Sequence, residues 1–325
     1  MNQLSADRIF TVRRPEALAL ELFHAQYAGN ELYRAYVNAL GVQPAQVRSV
    51  LQVPFLPIQF FKTHRVTTGS FEPAAVFESS GTTGAVNSQH LVKDTDIYTR
   101  SFMEAFRLFY GPVENYVVLG LLPSYLERRH SSLVYMVQEM IKRSGRPESG
   151  FYLYEHGKLA QTLEALEARR QPVLLIGVTF ALLDFAEQYP MRLQHTIVME
   201  TGGMKGRREE WTREALHAWL RQRLGVPAVH AEYGMTELLS QAYSTGKGLF
   251  RCPPWMQVLV RDENDPFQLS AANAAGVINV IDLANIHSCA FIATEDIGRL
   301  QEDGSFEVLG RLDNSALRGC SLMVS

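Results

Sequence analysis

The chain has 325 residues, of which 46% are hydrophobic and 20% charged, as expected for a globular protein with one large or two unequal domains. The formal net charge is −3, and the interspersed charges argue against a nucleic-acid-binding surface. The longest apolar stretch, 172–186, is too short for a membrane span, and the N-terminus lacks a signal-peptide pattern. We therefore expect a soluble, cytoplasmic protein with no membrane span and no nucleic-acid partner.

The N-terminal 62 residues combine a helical pattern with a proline-containing apolar segment. Residues 14–40 have apolar side chains at helical spacing and are followed by Gly41, which predicts one or two amphipathic helices that form a cap. In 53–62, Pro54 and Pro57 forbid a regular helix among large apolar residues, which predicts an extended, packed segment. A second interpretation of that segment is one wall of an acyl pocket.

Four apolar runs of strand length each precede a stretch of helical periodicity. The pairs are 74–77 with 94–110, 116–122 with 131–141, 172–178 with 181–188, and 195–199 with 208–224. This alternation predicts an α/β fold with a largely parallel sheet.

After Pro227, short strand-like runs are separated by clusters of turn-forming residues. The runs are 257–260, 277–282 and 306–308, and the turns include 262–265 and 302–304. We expect residues 1–227 to form an α/β part with a helical N-terminal cap and a phosphate loop. Residues 228–325 are expected to contain a smaller, antiparallel β-rich part and a short C-terminal tail.

Residues 78–84, Glu-Ser-Ser-Gly-Thr-Thr-Gly, follow the first predicted strand. Glycines let the backbone approach a ligand closely, and successive N–H groups and hydroxyls can hold a phosphate. The loop is not a Walker loop, because Ala85 stands where that pattern needs lysine and the glycine spacing differs. It is interpreted as a phosphate-binding loop, with an ordinary turn rich in small residues as the alternative.

Three further polar segments follow predicted strands or turns. They are 200–206, with Gly202, Gly203 and Lys205; 231–237, with Tyr233, Gly234, Thr236 and Glu237; and 294–298, with Asp296 in a turn, followed by 310–313 with Arg311. Each alone has an ordinary explanation as a turn, a half-buried aromatic or a first-turn carboxylate. Ligands of α/β proteins bind beyond the carboxyl ends of the strands, so in this order the segments favour one shared site.

The series SSGTTG, GG, YGMTE, TEDIG and GRLD resembles the adenylate-forming superfamily, which contains acyl-CoA synthetases, nonribosomal adenylation domains and luciferases. Within it, VPFLPIQFFK, ETGGMKGR and RGCSLM are more similar to the acyl-protein synthetase of bacterial luminescence. The similarity spans residues 53–323. It implies the fold of the superfamily's large N-terminal domain, with layered β-sheets, flanking helices and a small C-terminal β region.

The resemblance also implies ATP and Mg²⁺ as cofactors and assigns roles to individual residues. The implied ATP-binding residues are Ser79, Ser80, Gly81, Thr82, Thr83 and Gly84 for the phosphates; Tyr233, Gly202 and Gly203 for the adenine, with Gly234 beside them; and Asp296 with Arg311 for the ribose. Thr236 is implied to contact phosphate, and Glu237 to hold Mg²⁺.

Two departures from the family pattern concern lysines. The loop continues Ala85-Val86-Asn87-Ser88 where the family has proline, lysine and glycine, so Lys93 or Lys205 is a candidate for the missing cation. The sequence also stops at Ser325, where larger relatives continue into a mobile C-terminal domain with a catalytic lysine, and we expect that domain to be missing. Lys205 is the candidate catalytic substitute, and a solvated surface lysine is the alternative.

Cys320, in Arg318-Gly319-Cys320-Ser321, is the candidate acyl acceptor. A thiolate near the C-terminus could take the acyl group as a thioester, and Arg318 would lower its pKa. In the luminescence synthetase a C-terminal cysteine has this role and passes the acyl group to a partner reductase. The alternative is a buried, inert cysteine, and the three cysteines match no zinc or disulfide pattern.

The implied activity is ATP-dependent activation of a carboxylic acid, expected to be a fatty acid, as acyl-AMP. Transfer of the acyl group to a protein thiol follows, either on Cys320 or on an acyl-accepting partner protein such as a reductase or carrier. Two alternatives remain open. One is an acyl-CoA ligase, and the other is a non-catalytic relative that binds nucleotide or acyl adenylate.

Overall fold

The computed structural model describes residues 5–79, 86–123, 130–202, 211–270 and 273–312. Its helices are α1 (Ala6–Phe10), α2 (Pro15–Gly29), α3 (Glu31–Ala39), α4 (Phe60–Thr63), α5 (Thr95–Tyr110), α6 (Ser132–Ser144), α7 (His156–Ala168), α8 (Thr179–Gln188) and α9 (Arg213–Leu224). Its strands are β1 (Leu56–Pro57), β2 (Ala75–Glu78), β3 (Gln89–Val92), β4 (Val117–Leu121), β5 (Gly150–Phe151), β6 (Val173–Val178), β7 (Thr196–Thr201), β8 (Val229–Tyr233), β9 (Ala242–Ser244), β10 (Leu249–Phe250), β11 (Met256–Arg261), β12 (Ala275–Asp282), β13 (Phe291–Leu300) and β14 (Phe306–Arg311). Within these ranges, no helix has both the length and the apolar character needed to cross a membrane.

A mostly parallel sheet in the order β5-β4-β6-β7-β8-β9 confirms the predicted α/β class. The pairs from β5 to β8 are parallel, and β9 runs antiparallel to β8. Every residue of β4 and β6 is buried, which explains why these strands are continuous apolar runs in the sequence. Helices α6, α8 and α9 pack on the sheet's strands, so the three predicted strand–helix pairs between 116 and 224 are confirmed. The last helix begins at Arg213, and its predicted start at 208 lies outside the described residues.

Capping residues set the ends of two helices that flank this sheet, α6 and α9. Ser131 accepts a hydrogen bond from the backbone of α6, which ends at Gly145 in the left-handed conformation. Thr212 caps α9 in the same way, and Gly225 ends it with a φ of 62°. Serine and threonine supply the acceptor that the first turn needs, and glycine takes a positive φ without strain. These local signals set both ends of α9, which follows β7 and precedes β8 in the chain.

The first predicted strand–helix pair is corrected by the structure. Strand β2 pairs antiparallel with β3 in a separate two-stranded sheet, not in the parallel sheet, and α5 begins only after β3. In β2 only Phe77 is fully buried, whereas every residue of the central strands β4 and β6 of the parallel sheet is buried. The missed strand β3 begins with exposed Gln89, so its short run has no clear apolar alternation.

The C-terminal strands form an antiparallel sheet in the order β10-β14-β13-β12-β11, which confirms the prediction of an antiparallel β region. The short strand β1 pairs parallel with the first half of β13. The assignment of 294–298 to a turn is wrong, because these residues lie within β13, with a register shift between Ile297 and Gly298. Strand β8, directly after residue 227, pairs with β7, and the division at 227 stays a proposal.

The N-terminal helices pack against the antiparallel sheet through aromatic side chains. The rings of Tyr33 and Phe291 stack with centroids 6.2 Å apart, and Phe23 meets Phe291 edge-on at 6.3 Å. The side chain of Gln26, a fully buried residue of α2, donates to the Asn285 carbonyl and accepts from the Ala290 backbone N–H. The cap is therefore joined to the β12–β13 connection by hydrogen bonds that water cannot replace.

Candidate active site

Tyr233, Asp296 and Arg311 come from three different sequence motifs and lie in contact. The Tyr233 hydroxyl donates to Asp296 Oδ2 at 2.8 Å. Asp296 on β13 is directly opposite Arg311 on β14, and Arg311 Nε lies 3.8 Å from Asp296 Oδ1. The end of the parallel sheet and the antiparallel sheet therefore meet at this cluster.

The cluster combines a shielded carboxylate with an accessible cation. Burial raises the pKa of Asp296, and the Tyr233 hydroxyl and the Arg311 charge oppose that rise. The Asp296 side chain is 20% exposed, whereas the Arg311 side chain is 71% exposed. An exposed guanidinium held only loosely by its carboxylates keeps donors for an incoming anion or hydroxyl.

Glu237 is a buried carboxylate in the turn that follows β8. It is 4% exposed. Burial raises its pKa, and hydrogen bonding from Ser88 together with the charges of Arg311 and Lys62 partly offsets that rise. Lys62, at the end of the proline-containing segment, was not recognised as a site residue in the sequence. The nearby cations and Ser88 favour the ionised carboxylate, which is the form that binds a metal.

Gly202 lies just beyond β7 with a φ of 72°, a left-handed conformation that favours glycine. Thr179 Oγ1 lies 3.0 Å from the Gly202 carbonyl oxygen and 2.9 Å from Glu200 Oε2, so these two acceptors share its single hydrogen. Glu200 also contacts Arg213 and His217 of α9, at 3.2 and 3.3 Å. Burial alone would favour the neutral acid, but His217 and Arg213 hold the pKa of Glu200 below its ordinary value.

This Glu200 network was missed because an acidic residue inside an apolar strand has no sequence signature. Arg213 extends it, since its Nη1 donates to the Val308 carbonyl of β14 at 2.8 Å and its guanidinium lies over the Phe250 ring. The network therefore joins the glycine turn after β7 to the antiparallel sheet that contains Asp296.

Another buried carboxylate, Glu232, lies beside Tyr233 in β8 and was also missed. Its Oε2 accepts a 2.5 Å hydrogen bond from Thr201 Oγ1. Burial, with the nearby charge of Glu200, raises its pKa to about 7 against the effect of that bond. A side chain at Gly234 would collide with Glu232 Oε1, so Gly234 has a packing role whether or not it contacts nucleotide.

Glu232→Gln is expected to change the pH dependence of folding. Because the folded state raises the pKa of Glu232 from 4.5 to about 7, the folded protein binds the proton more tightly. Its stability then falls as pH rises through this window, by up to about 3 kcal/mol for this group. The neutral glutamine still offers Thr201 an acceptor, so the variant should match the wild type near pH 4.5 and exceed it at pH 8.

Urea unfolding at several pH values measures this difference, with the exposed Glu302→Gln as the control for a glutamate replaced at the surface. Parallel pH profiles for Glu232→Gln and the wild type would contradict an elevated pKa of Glu232.

The two described ends of the candidate phosphate loop, at Ser79 and Ser88, are hydrogen-bonded to each other. The Ser79 N–H donates to the Ser88 carbonyl at 3.0 Å, and the Ser88 N–H donates to Ser79 Oγ at 2.9 Å.

Lys93, a candidate substitute cation, is exposed, and its Nζ lies 5.8 Å from the centre of the Phe71 ring. Several predicted site residues lie outside the described residues: Ser80, Gly81, Thr82, Thr83, Gly84, Gly203, Lys205 and Cys320.

Comparisons with known proteins identify the fold. No protein-family model and no curated protein sequence matches the chain. ATP-bound MatB from Rhodopseudomonas palustris is similar with 20% identity and a TM-score of 0.55, over 75% of this chain and 49% of that chain. An open 2-hydroxyisobutyryl-CoA ligase in complex with 2-HIB-AMP and CoA is similar with 12% identity and a TM-score of 0.66, over 92% of this chain and 69% of that chain.

The chain therefore spans about half the length of the MatB structures that it matches. Identities of 12–20% show a shared fold alone. The predicted fold, that of the large N-terminal domain of adenylate-forming enzymes, is confirmed.

Proposed function

We propose that this chain is an ATP-dependent enzyme that activates a carboxylic acid as an acyl adenylate. The observation that carries the proposal is the contact of Tyr233 with Asp296, with Arg311 beside them. Three motifs that the sequence assigned to a nucleotide thus share one cluster. The solved structures support it as well, since proteins of this fold contain ATP in one case and 2-HIB-AMP in another.

In this proposal the cluster holds the nucleoside part of ATP. Tyr233 would lie on the adenine, with Gly202, Gly203 and Gly234 lining the same pocket. Asp296 would accept hydrogen bonds from the ribose hydroxyls, and Arg311 would assist with its exposed donors. The residue types fit, because a mostly buried carboxylate is a directional acceptor for paired hydroxyls.

Glu237 fits a Mg²⁺ site that is shared with the phosphates of ATP. Mg²⁺ takes one or two carboxylates together with phosphate oxygens and water. The described ranges contain no group of three or more His, Cys, Asp or Glu side chains that could hold a metal, so a site with one protein carboxylate is the arrangement we propose. The metal would neutralise charge on the phosphates, and Thr236, with residues 79–84, would contact them.

The substrate carboxylate requires no general base, because it is already ionised near neutral pH. The main obstacle is repulsion between this anion and the phosphates, which cations and donors must offset while they hold the groups in line. Lys62 and Arg311 act on the electrostatics of Glu237 from the described part of the chain. We propose Lys205 as a further cation that takes the catalytic lysine's role.

The finer proposal is an acyl-protein synthetase that acts on a fatty acid and transfers the acyl group to Cys320 or to a partner protein. It rests on the resemblance of the motifs at 200–207 and 318–323 to those of the luminescence synthetase. An acyl-CoA ligase is the second candidate, because the 2-hydroxyisobutyryl-CoA ligase of this fold contains CoA in its structure. A non-catalytic nucleotide-binding relative is the third, because the phosphate loop lacks its usual lysine.

Carboxylate-dependent exchange of labelled pyrophosphate into ATP tests the proposed activity. We expect exchange that requires Mg²⁺ and a carboxylic acid, with one chain-length class preferred among acids from acetate to palmitate. A protein that binds ATP but supports no exchange with any acid would contradict adenylation and favour the non-catalytic candidate.

Cys320→Ser is expected to abolish covalent labelling by radioactive fatty acid and ATP while pyrophosphate exchange continues. Serine replaces the thiolate by a weak nucleophile, so no thioester forms. Cys252→Ser is the matched control, because Cys252 is partly buried and its raised pKa, about 12, leaves very little reactive thiolate at neutral pH. Hydroxylamine-sensitive label retained by Cys320→Ser would exclude this acceptor. When CoA is added, formation of acyl-CoA without protein label would favour the ligase.

A further inference from the structure

The backbone of Thr236 and Glu237 is held by two buried side chains from other parts of the chain. His90 Nδ1 lies 2.8 Å from the Thr236 carbonyl oxygen. Asn285 Nδ2 donates to the Glu237 carbonyl oxygen, also at 2.8 Å. Since a carbonyl can only accept, Nδ1 of His90 must carry the hydrogen in this contact. Two consecutive carbonyls of the proposed metal-binding segment are therefore fixed from outside that segment.

The Asn285 side of this arrangement is anchored in the β12–β13 connection. The Asn285 carbonyl accepts from Gln26 of α2. Asp282 Oδ2 accepts from the backbone N–H groups of Leu239 and Ser240, at 2.7 and 3.0 Å. The far end of the segment after β8 is thus hydrogen-bonded to the buried end of β12, and the adjoining β12–β13 connection is bound to α2.

The His90 side comes from the strand that leaves the phosphate loop. His90 lies in β3, two residues after Ser88, whose backbone is paired with Ser79. Ser88 also interacts with the Glu237 carboxyl group. One short stretch of chain therefore contacts the loop's first serine, the Glu237 side chain and the Thr236 carbonyl.

The surroundings of His90 keep its ring neutral and in one orientation. The residue is 1% exposed, and its ring meets Phe61 edge-on with centroids 5.8 Å apart. Burial lowers the pKa of His90 to about 4, despite the Thr236 carbonyl and Asn285, which favour the protonated ring. At neutral pH His90 is therefore a hydrogen-bond donor and not a charge.

We propose that His90 is a positioning residue. It fixes the position of Thr236 and Glu237 relative to Ser88, where the candidate phosphate loop ends and the chain enters β3. The inference rests on the proposed function, because it assigns Glu237 to the metal and Thr236 to a phosphate. His90 touches neither nucleotide nor metal in this proposal. Its loss should shift Glu237 away from the metal, and so should change the Mg²⁺ requirement of the reaction more than the folding of the protein.

His90→Leu and His90→Asn separate positioning from packing. Leucine fills similar space without a donor, whereas the asparagine amide can place an N–H close to the position of Nδ1. We expect His90→Leu to raise the Mg²⁺ concentration for half-maximal pyrophosphate exchange on the order of 10-fold, the size of one lost hydrogen bond to a fixed group. His90→Asn should recover most of the wild-type value.

Two further variants control for a general effect of changing β3 and for a leucine variant that does not fold. Gln89→Ala, at the exposed neighbouring position of β3, should leave the Mg²⁺ requirement unchanged. His90→Gln places its amide nearer the Nε2 position, so it should behave like His90→Leu and replaces it if the leucine variant does not fold. Circular dichroism and thermal unfolding identify the folded variants.

The inference is overturned if folded His90→Leu or His90→Gln has the wild-type Mg²⁺ requirement, or if His90→Asn fails to restore it. Pyrophosphate exchange by the wild type shows that the proposed function holds, so that the variants then test the role of His90 alone. If the wild type supports no exchange, calorimetric titration with ATP in Mg²⁺ and in EDTA takes its place. A Mg²⁺-dependent gain in affinity that His90→Leu loses and His90→Asn keeps supports the inference, and any other pattern overturns it.

Discussion

Glu237→Gln is expected to lower the rate of pyrophosphate exchange on the order of 10²-fold or more, the usual cost of losing one preorganised electrostatic group. Glutamine has nearly the same size and can still accept a hydrogen bond, so Ser88 and the carbonyl contacts to His90 and Asn285 should survive. The negative charge is lost. With it goes the ligand that we propose for Mg²⁺, while the charges of Lys62 and Arg311 remain without their buried partner.

The measurement is steady-state exchange as a function of Mg²⁺ at saturating ATP and acid. The control is Glu263→Gln, which removes a carboxylate of the same kind from an exposed turn and should exchange at the wild-type rate. Exchange by Glu237→Gln within a few-fold of the wild type would exclude Glu237 as the metal ligand.

Asp296→Asn is expected to raise the KM for ATP by about 10- to 100-fold with a much smaller effect on kcat. Hydrogen bonds to a charged acceptor contribute about 1.5–3 kcal/mol each. A ribose contact made equally in the ground state and the transition state affects KM and leaves kcat nearly unchanged. The neutral amide would also weaken the attraction between Asp296 and Arg311, which lie 3.8 Å apart.

The ribose role can be tested with 2′-deoxy-ATP and 3′-deoxy-ATP. If Asp296 accepts from the ribose hydroxyls, the analogue that lacks the bonded hydroxyl should bind the wild type poorly but should suffer little further loss in Asp296→Asn. Tyr233→Phe keeps the ring and removes only the hydroxyl that holds Asp296 Oδ2, so it should show a smaller effect in the same direction. Equal penalties for the analogues in wild type and Asp296→Asn would place Asp296 away from the ribose.

Local sequence signals predicted most of the parallel sheet because its central strands β4 and β6 are fully buried and the helices α6 and α9 are bounded by capping residues. Strand β6, buried throughout, and α9, between Thr212 and Gly225, are of this kind. The sequence predictions failed where a segment becomes a strand only because it pairs with a neighbouring strand. Strand β3 is recognisable only beside β2, and 294–298 resembles a turn although β12 and β14 hold it in a ladder.

The motifs in the sequence, through their resemblance to the adenylate-forming superfamily, determined which residues were candidates for nucleotide contact, and their glycines, hydroxyls and carboxylates are residue types that can bind phosphate, ribose and metal. Only the tertiary structure decided that Tyr233 meets Asp296, 63 residues away, and that His90 and Asn285 hold the carbonyls of Thr236 and Glu237. It also decided that Glu232 is buried with a raised pKa and Glu200 with a lowered one. The reason is physical: hydrogen-bond partners and desolvation come from distant parts of the chain, and no local pattern of residues encodes them.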